Sequence, residues 1–309
     1  MSLVIICPER DPAVWAQELQ KLDPSLEIEI YPNEKDLASI SYALAWRHPY
    51  GVFGRYPNLR CISSMGAGVD HLLGDPDLPG EVPVVRLVDE KLASDMFEYI
   101  LAVILAELRN LKSHFQNQTD QTWDVLPYKR MEDVRVGIMG MGRMGSQVST
   151  RLATLGFQVS GWSRTGISDV GHRTYSGDKE LTEFLSQTDM LVCLLPLTES
   201  THGILNSKLF GALPRGAYVI NAGRGEHLVE ADLLEALNRR QLSGATLDVF
   251  IEEPLPPGHP FWNHPRITIS PHLASVTDPV SCAPQVLENY KRMETNSALL
   301  NLVSKEKGY

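Results

Sequence analysis

Short unbroken apolar runs alternate with amphipathic stretches along this chain. Leu3–Cys7 reads as a buried strand, and Asp11-Pro12 caps and starts a helix carrying Val14, Trp15, Leu19 and Leu22. Leu26–Tyr31 alternates as a strand does, and Tyr42–Trp46 and Leu59–Ser63 read as two more. A long helix is predicted from about Ser94 to Phe115, with Met96, Phe97, Ile100, Leu101, Ile104, Leu105 and Leu108 on its apolar side. Gln116 to Asp133, with Trp123 and Pro127, is polar and irregular, the segment best suited to a connection or an arm. From Val134 strands and helices alternate clearly. Strands are predicted at Val134–Met139, Phe157–Trp162, Met190–Leu195, Ala217–Asn221, Ala245–Val249 and Ile267–Ser270, with helical patterns between them, such as Glu230 to Arg240. Short apolar strands spaced by helices imply a parallel sheet buried on both faces. The N-terminal third forms a second, smaller α/β unit, and a helix predicted over Pro279 to Leu302 returns to it.

Composition narrows the function classes. The chain has 309 residues, 43% of them hydrophobic, enough for about two domains with real cores. A formal net charge of −10 argues against a bulk nucleic-acid binder, though not against a small anion held by a few arginines. The longest apolar runs, Tyr99–Ala106 and Met190–Leu197, fall far short of the roughly 18 residues that span a bilayer. The opening run lacks the apolar stretch and cleavage site of a signal peptide. Cys7, Cys61, Cys193 and Cys282 show neither pairing nor metal spacing, so buried thiols in a cytoplasmic protein are expected. No repeat or low-complexity tract is present.

The strand ending at Met139 leads into Gly140-Met141-Gly142-Arg143-Met144-Gly145, and Ser146 to Leu155 reads as helix. This is the G-x-G-x-x-G pattern in the strand–turn–helix setting that gives it meaning. Gly140 permits the tight turn, Gly142 lets the backbone approach a pyrophosphate, and Gly145 lets helix and strand pack closely. The helix N-terminus, at Arg143 and Met144, supplies N–H groups for phosphate. A carboxylate about 20 residues on would hold the ribose 2′-hydroxyl of NAD. Ser163 stands at that point (163 − 145 = 18), followed by Arg164 and Thr165. An uncharged residue beside an arginine suits a 2′-phosphate, so NADP(H) is expected in preference to NAD(H).

Three further patches follow predicted strands: Asn221-Ala222-Gly223-Arg224-Gly225, Asp248 to Pro254, and Ser270-Pro271-His272-Leu273-Ala274. In an open parallel sheet, ligands sit beyond the carboxyl ends of strands, so Arg, Glu and His from successive strand ends can converge. Taken singly, each also fits an ordinary surface feature. Their order and placement favour a site. A cation with a proton donor suits a carbonyl oxygen that gains negative charge when a dinucleotide delivers hydride.

Together with Gly140–Gly145, these patches resemble the D-isomer-specific 2-hydroxyacid dehydrogenases over nearly the whole chain. M-G-A-G-V-D at 65–70, W-S-R-T at 162–165, L-D-V-F at 247–250 and E-P-L-P-P at 253–257 place it nearest the glyoxylate- and hydroxypyruvate-reducing branch. The resemblance implies a Rossmann-type doubly wound parallel sheet plus a smaller flavodoxin-like α/β substrate domain. It divides the chain into residues 1–97 plus 278–309 for substrate and 98–277 for dinucleotide. It implies that Arg224 binds the substrate carboxylate and polarises the keto oxygen, that His272 is the general acid, and that Glu253, directly before proline, pairs with His272. Asp248, Ala222 and Gly223 would face the nicotinamide; Leu195, Pro196 and Thr201 would line the cofactor. The amides of Ala67, Gly68 and Val69 would take the substrate carboxylate, and Trp46 and Arg47 would wall the pocket. The implied partners are a small 2-keto or 2-hydroxy acid and a second copy of the chain in a homodimer that uses the Trp123 region, with no nucleic acid and no membrane. A reading of another class is a dinucleotide-sensing corepressor on the same fold with little turnover.

Overall fold

The computed structural model describes residues 1–166, 170–306 and 308. The chain forms two compact units, Met1–Lys91 with Val276–Tyr309, and Leu92–Ser275. In chain order the first unit contains β1 (Ser2–Ile6), α1 (Ala13–Leu22), β2 (Ile28–Ile30), β3 (Ile40–Ala45), β4 (Cys61–Ser64), α2 (Asp70–Leu73) and β5 (Val84–Val85). Next come α3 (Glu90–Leu108), α4 (Leu111–Thr119), β6 (Arg135–Met139), α5 (Arg143–Thr154), β7 (Gln158–Ser163), β8 (Arg173–Ser176) and α6 (Gly177–Ser186). Then follow β9 (Met190–Cys193), α7 (Ser207–Ala212), β10 (Ala217–Asn221), α8 (Glu230–Asn238), β11 (Leu242–Leu247), β12 (Ile267–Ile269) and α9 (Pro279–Glu294).

In the first unit all strand pairs are parallel, in the order β2-β1-β3-β4-β5, the flavodoxin-like arrangement. Every residue of β1, β3 and β4 is buried, which is why these strands read as runs without polar alternation. Leu3 and Ile5 pack with Trp15 and Leu19 of α1 and Val286 and Tyr290 of α9 on one face. Val4 and Ile6 pack with Phe53, Ile62 and Leu72 on the other. The helix α9 starts on Asp278, whose carboxylate accepts the Val280 N–H at 3.0 Å, with Pro279 at the first turn.

The second unit holds a seven-stranded parallel sheet, β12-β11-β10-β9-β6-β7-β8. The order runs one way from β6 through β7 to β8 and the other way from β9 to β12. The reversal falls between β6 and β9, where a doubly wound sheet opens its ligand crevice. Met139, Leu191, Val219 and Leu247 pack with Phe184, Phe210 and Leu233 on one face; Val136, Ile138, Val192 and Ile220 pack with Ile100, Ile104 and Val148 on the other.

Several local expectations change. The helix read over Ser94–Phe115 is two helices, because Asn110 turns left-handed (φ 53°) between α3 and α4. The helix read over Pro279–Leu302 ends at Glu294. On α1 the buried face is Trp15 and Leu19, while Val14 and Leu22 are exposed. Two short edge strands, β5 and β8, carry too few residues to show a period. Among the described residues no helix is long and apolar enough to cross a membrane.

Candidate active site

The glycine loop follows β6 at the reversal point. Gly140 adopts φ 102°, and a Cβ there would stand 2.6 Å from the Leu194 carbonyl. A Cβ on Gly145 would meet the Gly140 carbonyl oxygen at 2.0 Å, so α5 starts hard against the strand end. Gly142 differs: its φ is −71°, and beyond its chain neighbours no described residue has an atom within 4 Å of where its Cβ would stand. Internal packing therefore does not demand that glycine. A helix N-terminus, a close-approach glycine and a tight turn are what a pyrophosphate needs, so the loop fits a dinucleotide.

At the end of β7, Ser163 is half-buried, with its Oγ buried and making no hydrogen bond among the described residues. Arg164 and Thr165 are exposed. The Arg164 Nη1 donates to Ser200 Oγ at 2.9 Å, tying the β7 end to the turn after β9. In that turn Leu195 is buried, Pro196 is exposed, and Thr201 Oγ1 donates to the Pro196 carbonyl at 2.7 Å.

Three neighbouring strands, β10, β11 and β12, end on the same edge, and their loops interlock. A Cβ on Gly225 would lie 1.9 Å from the Phe250 carbonyl carbon, so the Arg224 loop presses against the segment that leads to Glu253. Glu253 Oε1 accepts the Phe250 N–H at 2.9 Å, and Oε2 lies 2.8 Å from His272 Nδ1. Glu252, its neighbour, is exposed. A carboxylate only accepts, so Nδ1 carries a proton and Nε2 is the atom left to meet a ligand.

The backbone of His272 is left-handed, φ 52°, an uncommon conformation for a residue with a Cβ. Its N–H donates to the Asp248 carbonyl at 2.8 Å. The buried Asp248 carboxylate accepts three more bonds: from Ser270 Oγ at 2.6 Å, Leu273 N at 3.0 Å and Ala274 N at 2.9 Å. Tyr99 in turn donates to Ser270 Oγ at 2.6 Å. Burial, only partly offset by Ser270, pushes the Tyr99 hydroxyl up to about 12, so it stays a donor through neutral pH. Ala222 and Gly223 are buried, and Arg224 is half-buried with Nη1 donating to the Gly223 carbonyl at 2.8 Å. The second unit thus brings Arg224, Asp248, Glu253 and His272 onto one set of interlocked loops.

In the first unit, Trp46 and the turn after β4 stand together. A Cβ on Gly66 would lie 3.1 Å from the Trp46 ring. Ala67 and Gly68 are half-buried and Val69 is buried, and Ser64 Oγ donates to the Gly68 carbonyl at 2.7 Å. Arg47 has φ 45° and its Nη1 lies 3.3 Å from Glu9 Oε2.

Sequence reasoning alone misses several partners. Arg10 lies 4.4 Å over the Trp46 ring and His71 lies 4.7 Å from it. His48, which follows Arg47 in sequence, forms a buried pair with Asp75 at 3.0 Å. Tyr99 and Ser270 carry no spacing signal, since they meet only through folding. His227 could have been noticed, as it stands three residues past Arg224.

Comparison with known proteins gives a consistent pattern. Residues 101–274 match the family described as D-isomer specific 2-hydroxyacid dehydrogenase, NAD binding domain. A glyoxylate/hydroxypyruvate reductase A of Yersinia enterocolitica is 38% identical over 314 residues, covering 100% of both chains. A D-isomer specific 2-hydroxyacid dehydrogenase from Xanthobacter autotrophicus Py2, in complex with NADPH and MES, superposes with a TM-score of 0.94 at 37% identity, covering 100% of this chain and 99% of that one. An NADPH-dependent glyoxylate/hydroxypyruvate reductase from Sinorhizobium meliloti, in complex with NADP and sulfate, superposes with a TM-score of 0.93 at 39% identity, covering 100% of each chain.

Proposed function

We propose that this chain, which belongs to the D-isomer-specific 2-hydroxyacid dehydrogenases, reduces small 2-keto acids with NADPH, glyoxylate to glycolate and hydroxypyruvate to D-glycerate. It is an NAD(P)-dependent oxidoreductase, as the family match and its named relatives indicate. The observation that carries the finer reading is the 2.8 Å pairing of His272 Nδ1 with Glu253 on loops that also carry Arg224.

The glycine loop holds the dinucleotide, with Gly140, Gly142 and Gly145 shaping the turn and Arg143 and Met144 opening the helix. Arg164, with Ser163 and Thr165, takes the 2′-phosphate. Two relatives crystallised with NADPH or NADP support this preference. Leu195, Pro196, Thr201, Ala222, Gly223 and Asp248 line the remainder. The bound nicotinamide supplies the hydride. Arg224 receives the substrate carboxylate and the developing charge on the keto oxygen, a charge-assisted contact in a desolvated setting. His272 gives its Nε2 proton to that oxygen, while Glu253 holds Nδ1 and stabilises the charged ring. Asp248 fixes the turn from which His272 projects. In the first unit, the amides of Ala67, Gly68 and Val69 are assigned to a carboxylate, with Trp46 and Arg47 restricting its size.

The test is steady-state reduction of glyoxylate and hydroxypyruvate with NADPH and with NADH. Turnover with kcat/KM favouring NADPH is expected. Tight NADPH binding with no turnover on either acid would instead indicate a dinucleotide sensor.

A further inference from the structure

No step above uses His227, which is fully buried beneath the Arg224 loop. Its Nδ1 accepts the Arg224 backbone N–H at 3.0 Å, and its Nε2 lies 3.3 Å from the Pro196 carbonyl oxygen. An N–H only donates and a carbonyl only accepts, so the neutral ring with its proton on Nε2 satisfies both. A Cβ on Gly223 would stand 2.9 Å from Nδ1, so the peptide entering Arg224 lies directly on the ring. The peptide leaving Arg224 is held as well: its carbonyl accepts Asn221 Nδ2 at 2.9 Å, and Asn221 Oδ1 accepts the Gly223 N–H at 3.2 Å.

The Pro196 carbonyl is a fixed anchor. It also accepts Thr201 Oγ1 at 2.7 Å, and Thr201 stands at the end of a hydroxyl chain. Arg164 Nη1 reaches Ser200 Oγ at 2.9 Å, Ser200 reaches Thr198 Oγ1 at 3.0 Å, and Thr198 reaches Thr201 Oγ1 at 3.1 Å. A guanidinium at one end and a carbonyl at the other make every hydroxyl donate in the same direction.

We propose that His227 is a positioning residue for Arg224: its Nδ1 holds the Arg224 amide, with Nε2 at Pro196 only orienting the ring, and so sets the direction in which the guanidinium meets the substrate. The claim rests on the Arg224 role proposed above. It is specific to one ring nitrogen, and that makes it testable atom by atom. In His227→Asn, Oδ1 falls near the Nδ1 position and can still accept the Arg224 N–H. In His227→Gln, the longer amide reaches toward Pro196 but leaves no acceptor beside Arg224.

Steady-state kinetics with NADPH and glyoxylate, and thermal unfolding, are measured for both. The KM for glyoxylate should rise roughly tenfold in His227→Gln, the scale of one lost hydrogen bond to a buried donor, and no more than about threefold in His227→Asn. The KM for NADPH should stay within about twofold in each, since uniform damage would move both constants. Equal effects of the two variants, or KM values for glyoxylate and NADPH rising in step with a lowered Tm, overturn the proposal. Should His227→Gln not fold, His227→Asn decides alone: a larger rise in its KM for glyoxylate refutes the clamp, and a rise within that limit supports it. Arg224→Gln is the control: if it leaves the KM for glyoxylate unchanged, the Arg224 reading has failed. If it raises that KM while the two His227 variants are indistinguishable, only the clamp has failed.

Discussion

His272 owes its candidate role to where Nε2 is left once Nδ1 is bound to Glu253. Replacing it with asparagine keeps a polar side chain but removes the transferable proton. The expected loss in kcat is about 10²–10⁴-fold, the usual contribution of a positioned acid, with the KM for NADPH nearly unchanged. Stopped-flow or steady-state rates check this, and an unaltered kcat would remove His272 from the mechanism. Arg164 is a separate case, since it is exposed and its Nη1 donates to Ser200 Oγ at 2.9 Å. Arg164→Ala should raise the KM for NADPH roughly 10–100-fold, the worth of a charge-assisted bond, and leave that for NADH almost unmoved. Comparing the two cofactors in the variant reads the outcome directly. At this scale the residue types and strand-end placement were legible in the sequence, but their partners were not. Nothing near Ser270 in the chain announces that Tyr99, 171 positions away, will donate to it.

Within the element that opens the dinucleotide loop, the three glycines do different jobs. A Cβ on Gly145 would collide with the Gly140 carbonyl at 2.0 Å, whereas one on Gly142 meets, beyond its chain neighbours, no atom of the described residues within 4 Å. Gly142→Ala should therefore leave Tm within about a degree of the parent, because the residue's backbone needs no positive φ. It should weaken NADPH binding sharply, because the added methyl stands where the backbone approaches the phosphates. Gly145→Ala should lower both Tm and binding. Thermal melts and fluorescence titration separate the two, and equal Tm losses would contradict this division of labour. Periodicity located the strands well wherever both faces are buried. It failed at Asn110, where one left-handed residue ends α3 and begins α4, a helix with no buried side chain. A period cannot show a break when apolar residues continue on both sides of it.

For the molecule as a whole, acid should be destabilising in a definite window. Burial, the largest influence, pulls the His48 imidazole below its usual 6.5 despite Asp75. Burial pushes the Asp75 carboxyl up, but the Asp77 and Gly51 amides and His48 outweigh it and hold it below 3.8. The folded state thus keeps His48 neutral and Asp75 ionised. As pH falls below about 6.5 the unfolded chain takes up a proton at His48 that the folded chain refuses, so stability declines, with a further decline from Asp75 below about 3.8. The urea midpoint should be lower at about pH 5 than at about pH 7.5, and His48→Gln should shrink that difference. An undiminished difference would place the acid sensitivity elsewhere. The segment after α4 leaves Trp123 98% exposed and Val125 85% exposed, more apolar surface than an isolated chain ordinarily shows in one short stretch. With the family resemblance, this leads to the expectation of a dimer by sedimentation that Trp123→Ser weakens; a monomeric parent would refute it.

The order of apolar runs, the glycine spacing and the Arg–Glu–His sequence at successive strand ends are properties of the chain alone. They suffice for the two α/β patterns and the family because strand period, turn chemistry and phosphate binding are local requirements. Which nitrogen of His272 meets Glu253, which backbone His227 holds and how Asp248 gathers three donors are not local. They depend on loops from β9, β10, β11 and β12 arriving at one edge, and only the packing of a twisted parallel sheet brings them there.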